Sequence, residues 1–111
     1  MNYKVIKKPW GQEELLEKNE SYMVKRLTML AGHQCSYQYH EKKRETFIVL
    51  TGPLTVVFED GDKEFKAGDS MTIEPGVKHR MKAVNTDAVY LECSTPEMED
   101  VVRLEDDYKR T

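Results

Sequence analysis

The sequence is poor in cysteine and has no long apolar run. Its two cysteines, Cys35 and Cys93, are too few for a disulfide framework and lack the C-x-x-C spacing of zinc and redox motifs. No apolar stretch approaches the roughly 20 residues of a membrane span, and none follows the basic residues near the N-terminus. We therefore expect a cytoplasmic protein with no membrane partner, in which both thiols are reduced and pack as small hydrophobic side chains.

An excess of positive charge is also missing. The chain has 17 basic and 20 acidic residues and a net charge of -3, which argues against a nucleic-acid partner. A length of 111 residues predicts a single domain over 1–111 with a small hydrophobic core.

Helical periodicity is absent from the middle of the chain. Short apolar and β-branched runs are separated there by turn residues, and Asp60-Gly61 is a strong hairpin signal. The pattern predicts an all-β sandwich or barrel. Strands are expected at 22–31, 34–40, 46–51, 54–58, 70–73, 79–84 and 88–93. Residues 9–18 fit a helical turn or an edge strand, whereas the charge density of 97–110 is typical of a solvated tail.

A group of polar residues in the first half of the chain suggests a metal site. Gln38 and His40 are two residues apart, so on a strand they project from one face while Tyr39 projects from the other. Glu45 begins the next predicted strand after a short loop at 41–44. A hairpin there would place the Glu45 carboxylate beside the His40 ring.

A third candidate ligand comes from the second half of the chain. His79 follows the turn at Pro75-Gly76, and closure of the sheet into a barrel would bring it to Gln38, His40 and Glu45. Two imidazoles, a carboxylate and an amide oxygen suit a divalent transition metal such as Zn, Mn, Fe, Co or Ni. A coordination position would remain open for water or substrate.

These two segments resemble the two sequence motifs of the cupin superfamily. Cupins are small jelly-roll barrels built as a double-stranded β-helix. The first motif fits from Gly32 to Gly52, with Gln38 replacing the usual first histidine. The second fits at Gly68, Gly76 and His79. There Glu74 occupies the usual proline place. The Gln-x-His pair is similar to the ligands of phosphomannose isomerases.

The resemblance extends to the cupin domain of type II mannose-6-phosphate isomerases and covers residues 9–110. It is carried by Pro9-Trp10-Gly11, by Val24 to Leu27 and by the tail from Glu99 to Arg110, which it implies is ordered. The guanylyltransferase half that often accompanies this domain does not occur in the sequence, so nucleotide transfer is not expected. Lys42 and Thr46 stand where the family has histidines.

The resemblance implies a metal-dependent sugar or sugar-phosphate isomerase, similar to mannose-6-phosphate isomerase, that converts an aldose to a ketose. Arg80 is the first catalytic candidate by this likeness, and Glu74 and Lys42 lie near the ligands in sequence. The expected contacts to a small sugar or sugar phosphate come from Lys25, Arg26, Tyr39 and Lys82, since cationic groups suit phosphate.

Two other functions and one assembly remain open. Two histidines and a carboxylate also match the ligands of a non-haem metal oxygenase. The departures at Lys42 and Thr46 fit a non-catalytic, metal-containing sugar-binding cupin. We expect a homodimer, because small barrels often hide exposed edge strands by pairing.

Overall fold

The computed structural model describes residues 3–98 and 100–108, and all regular secondary structure in these residues is β-strand. No helix in this part of the chain is long and apolar enough to cross a bilayer. The strands are β1 Lys4–Lys8, β2 Gly11–Lys18, β3 Met23–Met29, β4 His33–Gln34, β5 Tyr37–His40, β6 Glu45–Thr51, β7 Leu54–Phe58, β8 Gly61–Phe65, β9 Ser70–Ile73, β10 His79–Ala83, β11 Ala88–Ser94 and β12 Val101–Glu105.

Two antiparallel sheets enclose the core. The first has the strand order β1-β2-β3-β11-β6-β9, and the second has the order β12-β5-β10-β7-β8 with the short β4 beside β10. Buried side chains of both sheets form one hydrophobic cluster. This is the all-β architecture that the short apolar runs and the turn residues between them predict.

A period of two explains how the central strands bury one face. Phe47 and Val49 on β6 are buried, as are Leu54, Val56 and Phe58 on β7, while the residues between them are partly exposed. Burying one face of each strand against the opposite sheet removes this apolar surface from water, which stabilises the fold. The predicted hairpin is confirmed, because β7 pairs with β8 and Phe58 lies opposite Gly61.

Pro9 and Trp10 form the turn between β1 and β2, and Gly11 begins β2, so this segment contains no helical turn. Gly11 has a φ of +153°, and a Cβ at this position would lie 1.9 Å from the carbonyl oxygen of Thr28. Only glycine lets β2 pass so close to β3. Trp10 is buried in the core, and its carbonyl accepts a hydrogen bond from the backbone N–H of Leu30 at 2.9 Å.

The C-terminal tail is ordered over 100–108, as the family resemblance implies. The solvated tail that its charge density predicts is therefore wrong over these residues. Its strand β12 pairs with β5, so that Val101 lies opposite His40. The predicted tail residues Glu99, Lys109 and Arg110 lie outside the described residues.

The two cysteines are free thiols in different environments. Cys35 packs against the core, and burial raises the pKa of its thiol to about 12, so it remains a protonated thiol. Cys93 is exposed on the outer face of β11. The expectation that both cysteines are packed as small hydrophobic side chains is therefore wrong for Cys93.

Candidate functional site

His40 and Glu45 meet across the two sheets, not within a hairpin. His40 ends β5 in the second sheet, and Glu45 begins β6 in the first. Both edges of β5 are occupied, by β10 and β12, so β6 cannot pair with it. Residues 41–44 therefore cross between the sheets and place His40 Nε2 3.0 Å from Glu45 Oε1. The predicted proximity is present, but the predicted hairpin is wrong.

His79 reaches the same place through strand pairing. It lies opposite Gln38 in the ladder between β10 and β5. The preceding turn packs against β5, because the backbone N–H of Gly76, at a φ of +85°, donates to the carbonyl of His40 at 2.8 Å. The His79 Nδ1 lies 2.9 Å from the carbonyl oxygen of Val77. That contact favours a proton on Nδ1 and leaves Nε2 as a lone-pair donor.

His40, Glu45 and His79 form a buried cluster that suits a metal ion. One potential ligand atom from each lies within 4.8 Å of the others. Glu45 Oε1 is buried and has no well-aligned hydrogen bond in the described part of the chain, although it lies close to His40 Nε2. A ring nitrogen and a carboxylate oxygen that lie close without a well-aligned hydrogen bond are arranged as two ligands of one ion would be.

The charges around the cluster favour its metal-binding forms. Burial by itself would raise the pKa of Glu45, but the contact with the His40 ring and the positive charge of Lys43 hold it well below its usual range. Burial lowers the pKa of His79, although the negative charge of Glu45 opposes this shift. An ionised carboxylate and a neutral imidazole are the forms that coordinate a cation.

Two members of the cluster, His40 and His79, line a cavity of about 560 Å³. Glu45 does not line the cavity and is almost fully buried, with its Oε1 3.0 Å from His40 Nε2. The polar lining consists of four cations, two carboxyl groups and three of the predicted metal ligands. These are Lys8, Lys25, Lys43 and Arg103, then Glu13 and Glu92, then Gln38, His40 and His79.

The charged groups of the cavity wall form two clusters, one around Glu13 and one around Glu45. Glu13 lies 3.2 Å from the ammonium group of Lys25 and 3.8 Å from that of Lys8. Lys43 is buried, with its Nζ 4.0 Å from Glu45 Oε1. Burial, and then the negative charge of Glu45, raise the pKa of Glu92 well above its usual value. The cavity therefore combines a candidate metal site, several cations and a carboxyl group that retains its proton easily.

The three predicted catalytic residues do not line this cavity. Arg80 follows His79 on β10, so its side chain projects from the opposite face. Its guanidinium donates to the carbonyl oxygens of Cys35 at 2.8 Å and Glu105 at 3.1 Å, which ties β12 to the sheet. Lys42 is exposed, and Glu74 forms an exposed ion pair with an arginine at 2.7 Å.

Only one of the four predicted substrate contacts, Lys25, lines the cavity. Arg26 is next to it on β3 and faces the other side, where its guanidinium donates two hydrogen bonds, at 2.9 and 2.7 Å, to Glu14. Tyr39 projects from the face of β5 opposite to Gln38 and His40. Lys82 lines a smaller cavity on another part of the surface.

Sequence reasoning missed five charged side chains of the cavity wall, which are Lys8, Glu13, Lys43, Glu92 and Arg103. Glu92 is two residues after the buried Tyr90 on β11, so its parity places it inside and could have identified it. Lys43 lies in the crossing loop, where no period of two applies, and the sequence does not distinguish it from Lys42.

The chain is similar in sequence to one family of known proteins. Residues 1–106 match the family described as Mannose-6-phosphate isomerase C-terminal. The mannose-1-phosphate guanylyltransferase ManC of Salmonella typhimurium is 30% identical to 97% of this chain, which covers 23% of that protein. The chain thus spans about a quarter of the length of the curated relatives it matches.

Solved structures share the fold. An RmlC-like cupin from Shewanella frigidimarina superposes with a TM-score of 0.75 at 21% identity, over 88% of this chain and 87% of that one. A cupin-superfamily sugar phosphate isomerase from Silicibacter pomeroyi gives 0.67 at 19% identity, over 77% and 60% of the two chains. These likenesses confirm the predicted cupin jelly roll.

Proposed function

The chain belongs to the mannose-6-phosphate isomerase C-terminal family, and we propose that it is a metal-dependent isomerase that interconverts an aldose phosphate and its ketose phosphate. Mannose 6-phosphate is the expected substrate. The observation that carries the proposal is the buried cluster of His40, Glu45 and His79, two members of which line a cavity that is also lined by cations. In this account the cavity holds the sugar and the cluster holds a divalent ion.

The donor atoms fit such an ion. His40, Glu45 and His79 would hold it, and Gln38 lines the same cavity and would complete the set. Mixed imidazole and oxygen ligands suit Mn, Fe, Co, Ni or Zn. When bound, the ion would supply Lewis-acid polarisation of the sugar carbonyl oxygen.

The cations of the wall favour an anionic sugar. Lys8 and Lys25 are held in the same region by Glu13, at 3.8 and 3.2 Å. Lys43 lies deeper, beside Glu45. Ammonium groups bind phosphate by charge-assisted hydrogen bonds. We assign Lys8 and Lys25 to the phosphate group and Lys43 to the oxygens of the reacting end.

Aldose–ketose interconversion by proton transfer moves a proton between two adjacent carbons, so a proton carrier must lie within reach of both. Two carboxyl groups line the described cavity wall: Glu13 is paired with two lysines, whereas burial raises the pKa of Glu92 well above its usual value and Glu92 interacts with Glu45 of the metal cluster. Glu92 lines the cavity on β11, opposite the second sheet. We therefore assign the proton-transfer role to Glu92.

The residues that replace family histidines do not reach the substrate region. Lys42 is exposed, and the hydroxyl of Thr46 lies 2.8 Å from that of Thr72 on the neighbouring strand. Neither residue lines the cavity. These departures therefore lie outside the cavity wall, and they do not favour loss of catalysis over isomerisation.

The experiment is an isomerase assay with a matched pair of variants. Metal-loaded protein is expected to convert mannose 6-phosphate to fructose 6-phosphate and to act poorly on free mannose. Glu92→Gln should lower kcat about 100-fold or more, since general acid–base catalysis contributes on that scale. Glu64→Gln, an exposed substitution on β8, should leave kcat unchanged.

Three results would contradict the proposal. Metal-loaded protein that binds a sugar phosphate without converting it would be a sugar-binding cupin. Oxygen consumption by the Fe(II) form would indicate an oxygenase. Full activity in Glu92→Gln would remove the assigned proton carrier.

A further inference from the structure

Asp100 is placed to orient the His40 ring from behind the proposed metal centre. Its Oδ1 lies 3.3 Å from His40 Nδ1, on the side of the ring away from Glu45. Both atoms are buried, and neither has a well-aligned hydrogen bond in the described part of the chain. The two polar atoms therefore face each other in a region from which water is excluded.

The other oxygen of Asp100 is fully engaged by the backbone. Its Oδ2 accepts from the N–H groups of Lys42 at 2.7 Å and Lys43 at 2.9 Å. The carbonyl of Asp100 also accepts from the N–H of Glu41 at 3.3 Å. Three contacts thus hold the crossing loop 41–44 against the residue that precedes β12, which fixes how Asp100 presents Oδ1 to the ring.

We propose that Asp100 is a positioning residue of the metal centre, which holds the His40 proton on Nδ1 and so keeps Nε2 free to bind the ion. The inference rests on the metal site of the proposed function and not on the isomerase reaction. Metal-binding histidines commonly donate their other N–H to a carboxylate, and this partner sets the tautomer and the ring orientation. None of the predicted site residues lies in the C-terminal tail, yet the tail would supply this partner.

The substitution Asp100→Asn should reverse the tautomer. The two backbone N–H groups require an acceptor, so the amide oxygen of the new side chain would occupy the place of Oδ2. Its NH₂ group would then face His40 and donate to Nδ1. The ring would have to place its proton on Nε2, which is the nitrogen that faces Glu45.

The test compares Asp100→Asn with Asp107→Asn in the full chain. Asp107 lies in the same tail, where it accepts from the side chain of Gln34 at 2.8 Å and does not touch His40. Metal-free proteins are titrated with Co(II), and binding is followed by visible absorption. Asp100→Asn should weaken binding by about 10- to 100-fold, the usual effect of losing such a partner. Asp107→Asn should bind like the wild type.

A second readout reports the tautomer directly. Ring nitrogen shifts of the Zn(II)-loaded proteins should show His40 protonated on Nδ1 and bound to the ion through Nε2 in the wild type, and protonated on Nε2 without a metal contact in Asp100→Asn. The chain has three histidines, so assignment is simple. A purely structural role for Asp100 would lower the melting temperature without changing the tautomer.

The outcomes separate this inference from the proposed function. If the wild type binds Co(II) and Asp100→Asn binds it equally well, or if both proteins have the same tautomer, the role of Asp100 is overturned. If the wild type binds no Co(II), the metal centre itself is overturned and this role with it. Loss of metal affinity and the tautomer change in a folded Asp100→Asn, with normal Asp107→Asn, would establish the role even if no sugar were converted.

Discussion

Replacing Lys43 by methionine should change stability, metal affinity and substrate affinity in different directions. The methionine keeps most of the buried stem but removes a positive charge that lies 4.0 Å from Glu45 Oε1. Lys42→Met is the matched control. It makes the same chemical change one residue earlier, on a side chain that is exposed.

The distance sets the size of these effects. Two unit charges 4 Å apart attract by about 4 kcal/mol at an effective dielectric constant of about 20. The cost of removing the Lys43 ammonium group from water offsets part of this attraction. We therefore expect the free energy of unfolding of the metal-free protein to fall by about 2 kcal/mol in Lys43→Met, and by much less in Lys42→Met.

Metal binding should respond in the opposite sense. The Lys43 charge lies beside a proposed metal ligand, so it repels a divalent ion in the same cluster. Its removal should raise metal affinity about tenfold, which corresponds to about 1.4 kcal/mol. The same removal takes a cation from the cavity wall, so KM for mannose 6-phosphate should rise about tenfold.

Three measurements on each variant test whether the Lys43 ammonium group acts on the metal and the substrate. They are urea unfolding of the metal-free protein, Co(II) titration, and isomerase kinetics. A purely structural lysine would change only the first. Lys43→Met with unchanged metal affinity and unchanged KM would refute the placement of this ammonium group in the site. Equal effects in Lys42→Met would refute the distinction between the two lysines.

Two further predictions concern residues outside the cavity. Arg80→Met should lower the free energy of unfolding by about 2–3 kcal/mol, because it removes charged hydrogen bonds to two backbone carbonyls. Its kcat and KM at low temperature should stay near those of the wild type, and a large fall in kcat would restore the catalytic role that the family likeness implies. Hydrogen bonds from Arg26 and then Tyr3 lower the pKa of Glu14 from 4.5 to about 2. This carboxylate therefore stabilises the fold above about pH 4.5, and the effect is lost as the pH falls towards 2. Glu14→Gln should flatten the melting temperature across that window, and an unchanged slope would contradict the pairing.

Parity along the strands was the most reliable guide to the site. Gln38 and His40 share a face, as predicted, and both line the cavity. The same rule, applied to β10, places Arg80 opposite to His79, so the sequence already argued against a direct role for Arg80. The family likeness favoured it because the two residues are adjacent in the motif, but adjacent strand residues face opposite ways.

The sequence could not reveal which strands become neighbours. A short loop between two strands predicts a hairpin, yet β5 already has β10 and β12 on its two edges, and both come from later in the chain. Glu45 therefore reaches His40 from the opposite sheet. Long-range pairing of this kind also hides Asp100, whose place beside His40 depends on the path of β12.

Turnover should depend directly on the metal bound at the cluster of His40, Glu45 and His79. Metal-free protein should be titrated with Mn(II) while mannose 6-phosphate conversion is measured, together with His40→Ala/His79→Ala and with His33→Ala as the histidine control. We predict that activity rises in proportion to bound metal and reaches its plateau at a single ion per chain, that His33→Ala behaves likewise, and that the double variant neither binds nor converts. Full activity in the metal-free protein, or an active double variant, would contradict the proposed metal-dependent isomerase.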